Sequence, residues 1–305
     1  MRYYARVEVR LRPGIADPEG ATIERALPAL GFDGVASVRS GRCFNVELDA
    51  ADLEAARSHA AELADRLLAN PVIGEPDRGA RGLMAATVGV VVFPGTNCEH
   101  DAVLALEALG AEARLVFHAD GSLSGLDAVV LPGGFAHGDY LRPGAIARFS
   151  PVMEAVSAFA REGGAVVGIC NGFQVLCEAH LLPGALQKNS GLTFLCEPAL
   201  LRVDSTRSVL TSGAALGQLL EVPINHFSGS YTCDLETLRE LRDHERIVLR
   251  YVENPNGSVD DIAGICNEAG NVVGLMPHPE RASSALLGSD DGLVLLGSLL
   301  AASLR

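Results

Sequence analysis

Ala165-Val166-Val167-Gly168-Ile169-Cys170-Asn171-Gly172 is the stretch that decides the fold of this 305-residue chain. A short apolar run ends in a Gly-x-Cys-x-Gly turn, and a helical stretch follows. Such a run suits a strand buried on both faces of a parallel sheet. The flanking glycines let the chain turn sharply, so the central side chain projects from the top of the sheet as in a nucleophile elbow. A thiol there sits at a helix N-terminus, where the dipole and free N–H groups favour a thiolate. Free cysteines are more often small buried hydrophobes, so the turn alone does not assign Cys170.

Outward from this turn, strands and helices alternate. Residues 87–93 are nearly continuously apolar, residues 99–109 read as a helix, and Gly110 is a C-terminal stop. Further strands are predicted over 113–117, 128–131, 246–252, 262–266 and 272–276. The pattern predicts an α/β fold with a doubly wound, mostly parallel, flavodoxin-like sheet. Pro94-Gly95-Thr96-Asn97, Pro132-Gly133-Gly134-Phe135, Cys170 and His278 each fall just past the carboxyl end of a predicted strand. Open α/β sheets place their sites there.

The N-terminal stretch has a different rhythm. Tyr3, Ala5, Val7, Val9 and Leu11 alternate with polar neighbours, a strand with one wet face. Asp17-Pro18 offers an N-cap followed by proline, with Ile23, Ala26, Leu27 and Leu30 at helical spacing. Strands are predicted over 35–38 and at Phe44, Val46 and Leu48. Asp49 reads as the cap of a second helix through Leu68, with Leu53, Ala56, Ala60, Leu63 and Leu67 as its apolar side. Residues 1–75 thus read as a small two-layer α+β domain. Residues 76–84 lack apolar periodicity and read as a linker, leaving 85–305 as the second domain.

Composition narrows the function classes. Apolar residues make up 48% of the chain and the net charge is −14, which argues against wrapping nucleic acid or lying on an anionic membrane. Lys188 is the only lysine. It follows Leu186-Gln187 rather than a glycine-rich phosphate loop, so no Walker A motif exists. Seven scattered cysteines without a C-x-x-C pair predict a reduced, cytoplasmic protein with neither a disulfide framework nor a zinc site.

The chemistry rests on two distant motifs. In Pro277-His278-Pro279-Glu280 the prolines restrict the backbone around the histidine. His278 can accept the Cys170 proton and Glu280 can orient the imidazole, which is triad logic with cysteine in the serine role. The backbone N–H groups of Gly134 and Asn171 are candidates for an oxyanion hole. Gln174, one helical turn past Cys170, can hydrogen-bond a substrate amide. Cys98, with only Glu99-His100 beside it, reads as structural; His137 reads as a loop residue, near the site or solvated; and His226 with Asp234 shows no metal-ligand spacing. No catalytic metal is expected.

Gly168-x-Cys170-x-Gly172-x-Gln174 together with His278-Pro279-Glu280 resembles the class I, triad-type glutamine amidotransferases. FPGTNCEHD (93–101), PGGFAHGDYLRPGAIA (132–147) and NPNGSVDDIAGICNEAGNVVGLMPHPERA (254–282) resemble the glutaminase subunits of phosphoribosylformylglycinamidine synthases. LRPGIADPEGATIERAL (11–27) and LLANPVI (67–73) are similar to the small accessory subunit of the same synthases. The resemblance implies that Cys170 attacks the side-chain amide of glutamine, His278 transfers protons and Glu280 orients it. Water then hydrolyses a γ-glutamyl thioester, and ammonia passes to a large synthetase subunit that holds ATP and magnesium, with no cofactor on this chain. It also implies substrate contacts from Gly133, Phe135, Gln174, Asn189 and His226, and self-association through residues 1–75. One departure stands out: where the family shows His-Gly-Glu-Gly, this chain has His226-Phe227-Ser228-Gly229. A different cysteine hydrolase on a similar sheet is the rival reading, and Gln174 with the His-Pro-Glu order argues against it. A scaffold with an inactive glutaminase is the other, and the intact triad argues against that.

Overall fold

The computed structural model describes residues 2–11, 16–28, 35, 37–51, 53–64, 66, 74–76, 82–83 and 86–303. The chain divides into two compact units, Met1–Ala85 and Ala86–Arg305.

In the first unit, β1 (Arg2–Leu11) pairs antiparallel with β2 (Gly41–Asp49), Val7 opposite Phe44. On its other edge β1 pairs with β3 (Gly74–Pro76) and β4 (Gly82–Leu83). The described ends of the segment read as a linker are therefore strands of the first unit's sheet. Helix α1 (Pro18–Ala26) begins where the sequence places it, with Asp17 accepting from Gly20 N at 2.9 Å. The expected apolar face is not buried: Ile23 is 45% exposed. Leu30 lies outside the described residues. Helix α2 covers Leu53–Leu63, Asp49 is the last residue of β2, and Leu67 and Leu68 lie outside the described residues.

The strand expected over 35–38 is absent among its described residues, and the reason is chemical. The amide of Val38 donates to Glu24 Oε2 (3.1 Å), and Ser40 N and Oγ donate to Asp17 (2.6 and 2.7 Å). Two α1-side carboxylates take the N–H groups that a neighbouring strand would otherwise pair.

The second unit is built on a nine-stranded sheet. Its parallel core contains β5 (Thr87–Val92), β6 (Glu112–Phe117), β7 (Ala128–Leu131), β8 (Ala165–Ile169) and β15 (Val272–Leu275), in the order β6-β5-β7-β8-β15. That is the flavodoxin-like order. Val88, Val90, Val129, Val130, Val166 and Val167 are fully buried in it, as expected for strands covered on both faces. Helix α3 (Glu99–Ala108) links β5 to β6, and α4 (Pro151–Arg161) precedes β8 in the link from β7.

Beyond β15 the sheet continues antiparallel through β14 (Ile262–Cys266), β13 (Ile247–Tyr251), β10 (Leu195–Val203) and β11 (Leu219–His226). The sequence reading did not anticipate β10 and β11. Each carries a proline, and Pro198 sits opposite Pro223. The pair is tolerated because β11 is an edge and β10 meets β13 only from Leu201 to Val203. A small ribbon of β9 (Ala185–Gln187) and β12 (Ser230–Thr232) stands apart, and α5 (Asn171–Glu178), α6 (Leu235–Asp243) and α7 (Gly292–Ser303) complete the unit. No helix among the described residues is long and apolar enough to cross a membrane.

Candidate active site

The site is built at the carboxyl ends of β5, β7, β8 and β15. The loops after β5 and β7, where the strand order reverses, clasp each other. Asn97 N and Cys98 N donate to Gly133 O (3.3 and 3.2 Å), and Phe135 N donates to Gly95 O (2.9 Å). This pairing leaves the Gly134 N–H pointing away from Thr96, its bridge partner.

Cys170 sits between β8 and α5 with φ +51°, a conformation that costs a non-glycine residue energy and marks functional sites. The strain is on the cysteine, and the flanking glycines serve a different purpose from free turning. A Cβ on Gly172 would lie 1.9 Å from Leu131 O, and one on Gly168 would lie 2.6 Å from Gly172 C. They are glycines because backbone passes against backbone. The bend is held by Cys170 N donating to Leu275 O at 2.8 Å. The thiol faces Asn225 O at 3.7 Å.

His278 is 1% exposed, and its Nδ1 lies 2.6 Å from Glu280 Oε1. That bond holds one ring proton on Nδ1, so Nε2 is the position that gains or gives up the second. Nε2 is buried without a hydrogen-bond partner in the chain, as is Glu280 Oε2. Burial alone drives the ring toward neutrality, but the charges of Glu280 and then Cys170 outweigh it, holding its pKa well above the ordinary histidine value. A Cβ on Gly133 would strike His278 Cε1 at 2.6 Å, so this glycine contributes by being small. Burial pushes the thiols of Cys177 and Cys266 up and keeps them neutral.

A cavity of about 830 Å³ opens over Cys170 and His278. Gly134, Phe135, Gln174, Asn189 and His226 also line it. Asn171 ties its floor together, accepting from Ala136 N (3.0 Å) and donating to Gln174 Oε1 (2.8 Å) and Asp139 Oδ1 (3.1 Å). Gln174 Nε2 donates to Ser228 O at 2.6 Å, which leaves one N–H and one lone pair of its amide for a ligand. Asn189 lines the cavity with its amide fully engaged inside the chain. Its Nδ2 donates to Thr193 O and His226 O, and its Oδ1 meets Gly229 N and His226 Nδ1. All four positions are taken, so Asn189 holds His226 in place. The imidazole of His226 is thereby fixed with Nε2 bare and buried, and burial lowers its pKa to about 4, with the His278 charge adding to the effect.

Arg281 and Asp139 escaped the sequence reading, and Cys98, structural by that reading, sits at the site. Cys98 lines the cavity, and Arg281 Nη2 lies 3.4 Å from its sulfur while Arg281 Nε bonds Asp101 at 3.1 Å. Cys98, His278 and Glu280 bring ligand atoms within 4.8 Å of one another, with the Arg281 guanidinium opposing any added cation. Asp139 also lines the cavity. The histidine of the same loop, His137, does not; it packs edge-on against His118, 5.3 Å between ring centroids. Asp234 is the N-cap of α6, accepting from Thr237 N at 2.8 Å, and has no part in the site.

A family model described as a CobB/CobQ-like glutamine amidotransferase domain matches residues 85–289. A second, PurS, described as phosphoribosylformylglycinamidine (FGAM) synthase, matches residues 4–77. The phosphoribosylformylglycinamidine synthase subunit PurQ of Rubrobacter xylanophilus is 60% identical over 214 residues, covering 70% of this chain and 97% of that one. The subunit of the same name from Koribacter versatilis is 52% identical over 224 residues, with the same coverage of each. A solved structure of PurLQS from Thermotoga maritima matches with a TM-score of 0.66 and 42% identity, covering 72% of this chain and 99% of that chain.

Proposed function

This chain belongs to the PurQ family of phosphoribosylformylglycinamidine synthase subunits, with a PurS-type domain ahead of it, and on that premise we propose how its residues divide the work. It is the glutamine amidotransferase subunit of that synthase in purine biosynthesis, acting with a large synthetase subunit. Cys170 attacks the side-chain amide carbon of glutamine while His278 Nε2 takes the thiol proton and delivers it to the departing ammonia. Glu280 keeps the second ring proton on Nδ1 and stabilises the imidazolium. Gly134 N–H and Asn171 N–H receive the oxyanion. Water, deprotonated by His278, then cleaves the γ-glutamyl thioester to glutamate. Phe135, Gln174 and His226 contact the substrate, and Gly133 makes room for the imidazole.

The observation that carries this reading is the buried 2.6 Å His278–Glu280 pair with its free Nε2 beside Cys170. ATP and magnesium belong to the synthetase, consistent with a chain whose single lysine lies outside any phosphate loop. The protein works in the cytoplasm, and residues 1–75 self-associate; Ile23, 45% exposed on α1, offers an apolar contact for that. The test is Cys170→Ala in the complex with the large subunit. Synthesis driven by glutamine is lost and synthesis driven by free ammonium is kept. A variant that retains its glutamine-dependent rate removes Cys170 from the mechanism.

A further inference from the structure

The turn that carries His278 and Glu280 is held on three sides. Its backbone is tied to β11 by His278 N, which donates to Pro223 O at 2.8 Å, and to the start of α7 by Gly292 N, which donates to Ala282 O at 2.8 Å. The third side depends on one side chain. Among the described residues, the hydrogen bonds from this turn to α3 and its N-cap come from Arg281: Nε donates to Asp101 Oδ2 at 3.1 Å and Nη2 to Cys98 Sγ at 3.4 Å. Residues Pro279–Arg281 form a single 3₁₀ turn, in which successive side chains point about 120° apart. Glu280 therefore faces His278 while Arg281 faces α3.

Charge gives that contact a second consequence. The Glu280 side chain is fully buried; its Oε1 is spent on the imidazole and its Oε2 has no partner in the chain. Whenever His278 has given up its second proton, this carboxylate is left with a neutral partner, a costly state for a buried charge. The ionisable groups facing the turn are Cys98 and Asp101 from α3, Cys170 from the β8–α5 turn and His226 from β11. Burial holds His226 neutral, and α7, packed on the same turn, carries no ionisable side chain. Among these neighbours Arg281 is the fixed positive charge. Burial works against that charge, but Cys98, Asp101 and Glu280 outweigh it and raise the Arg281 pKa.

Resting on the glutaminase reading above, we propose that Arg281 is a positioning residue for the triad. Braced by Asp101 and Cys98, its guanidinium fixes the His-Pro-Glu turn against α3. It also supplies Glu280 with a counter-charge while His278 passes its proton to ammonia and takes the next from water. Arg281 does not line the cavity, so it acts through Glu280 and not on the substrate.

The experiment follows ammonia release from glutamine across pH, in the complex with the large subunit, for Arg281→Gln, Arg281→Lys and Asp101→Asn. The first keeps hydrogen-bond donors and removes the charge; the second keeps the charge and loses the planar fork. Removing a cation makes every neighbouring proton harder to lose. In Arg281→Gln the acid limb of kcat/KM therefore moves up by about 0.5–1 pH unit, and kcat falls about 10- to 100-fold with little change in KM. Arg281→Lys returns the limb to its original position and restores most of kcat. Asp101→Asn leaves the guanidinium charged but unbraced and lowers kcat about two- to fivefold, the worth of an exposed pair. Equal losses of kcat in both Arg281 variants with the limb unmoved reduce the side chain to packing and overturn the proposal. A loss confined to KM, or no loss in Arg281→Gln, overturns it too. A wild-type complex that releases no ammonia from glutamine overturns the glutaminase reading itself, whereas the other failures leave that reading standing.

Discussion

His226 shows how one buried side chain ties stability to pH. Its folded pKa, about 4, lies below the ordinary value of 6.5. Below pH 6.5 the unfolded chain therefore binds a proton that the folded chain refuses, and stability is lost as pH falls from 6.5 toward 4. We expect a loss of about 3 kcal/mol across that window, measured as a drop in the urea midpoint at constant m. In His226→Gln that slope is absent. Asp139 acts in the opposite direction: its folded pKa of about 6 exceeds the ordinary 3.8, so stability falls as pH rises from 3.8 to 6. Asp139→Asn then stabilises the chain above pH 6 by about 1–2 kcal/mol, after allowing for its part exposure to solvent. An unchanged midpoint at pH 8 contradicts that assignment. Glu280→Gln addresses chemistry instead of stability. With the wrong tautomer favoured, kcat falls about 10²- to 10⁴-fold while KM changes little; loss confined to KM means that Glu280 does not orient His278.

At the scale of elements, the glycine of the nucleophile turn and a glycine in the last helix make opposite predictions. A methyl group on Gly172 has backbone in its way at 1.9 Å, whereas one on Gly297, in the interior of α7, meets nothing within 4 Å. Gly172→Ala should destabilise by about 3 kcal/mol or more. Gly297→Ala should stabilise by about 0.5–1 kcal/mol through helix propensity. Thermal melts of the two variants, shifting in opposite directions, check both. The same contrast between local and non-local causes explains what could be read in advance. The core strands β5, β7, β8, β14 and β15 were legible because burial on both faces leaves an unbroken apolar run. β10 and β11 were hidden by Pro198 and Pro223, which read as breakers until their partners are known. Residues 35–38 read as a strand because nothing local shows that Glu24 and Asp17 take nearby amides. In the site, the cysteine turn and the His-Pro-Glu run announce themselves. The bracing role of Asn189 does not, since its partners come from the Thr193 and His226 segments. Nor does the place of Cys98, which chain folding alone brings to Arg281.

For the whole molecule, the second unit owns its core. Among the described residues, the second unit's large apolar cluster runs from Ala86 to Leu300. A fragment beginning at Ala86 should melt in one cooperative transition followed by far-ultraviolet circular dichroism; loss of cooperativity denies that independence. The resting site also points to dependence on the partner for rate. The Cys170 thiol faces Asn225 O, and His278 Nε2 has no hydrogen bond. The isolated chain should release glutamate about tenfold or more slowly than the complex, equivalent to about 1.4 kcal/mol of misalignment. Equal rates in a direct glutamate assay refute it.

Two sulfurs, Cys98 and Cys170, open onto one cavity beside the same imidazole, that of His278. Anyone designing a covalent inhibitor against this enzyme inherits an ambiguity. An electrophile that silences it after one addition has not thereby identified its point of attachment, because a warhead on Cys98 blocks the same entrance. Only peptide mapping of the adduct tells the two apart, and selectivity has to come from the guanidinium that attends one sulfur and not the other.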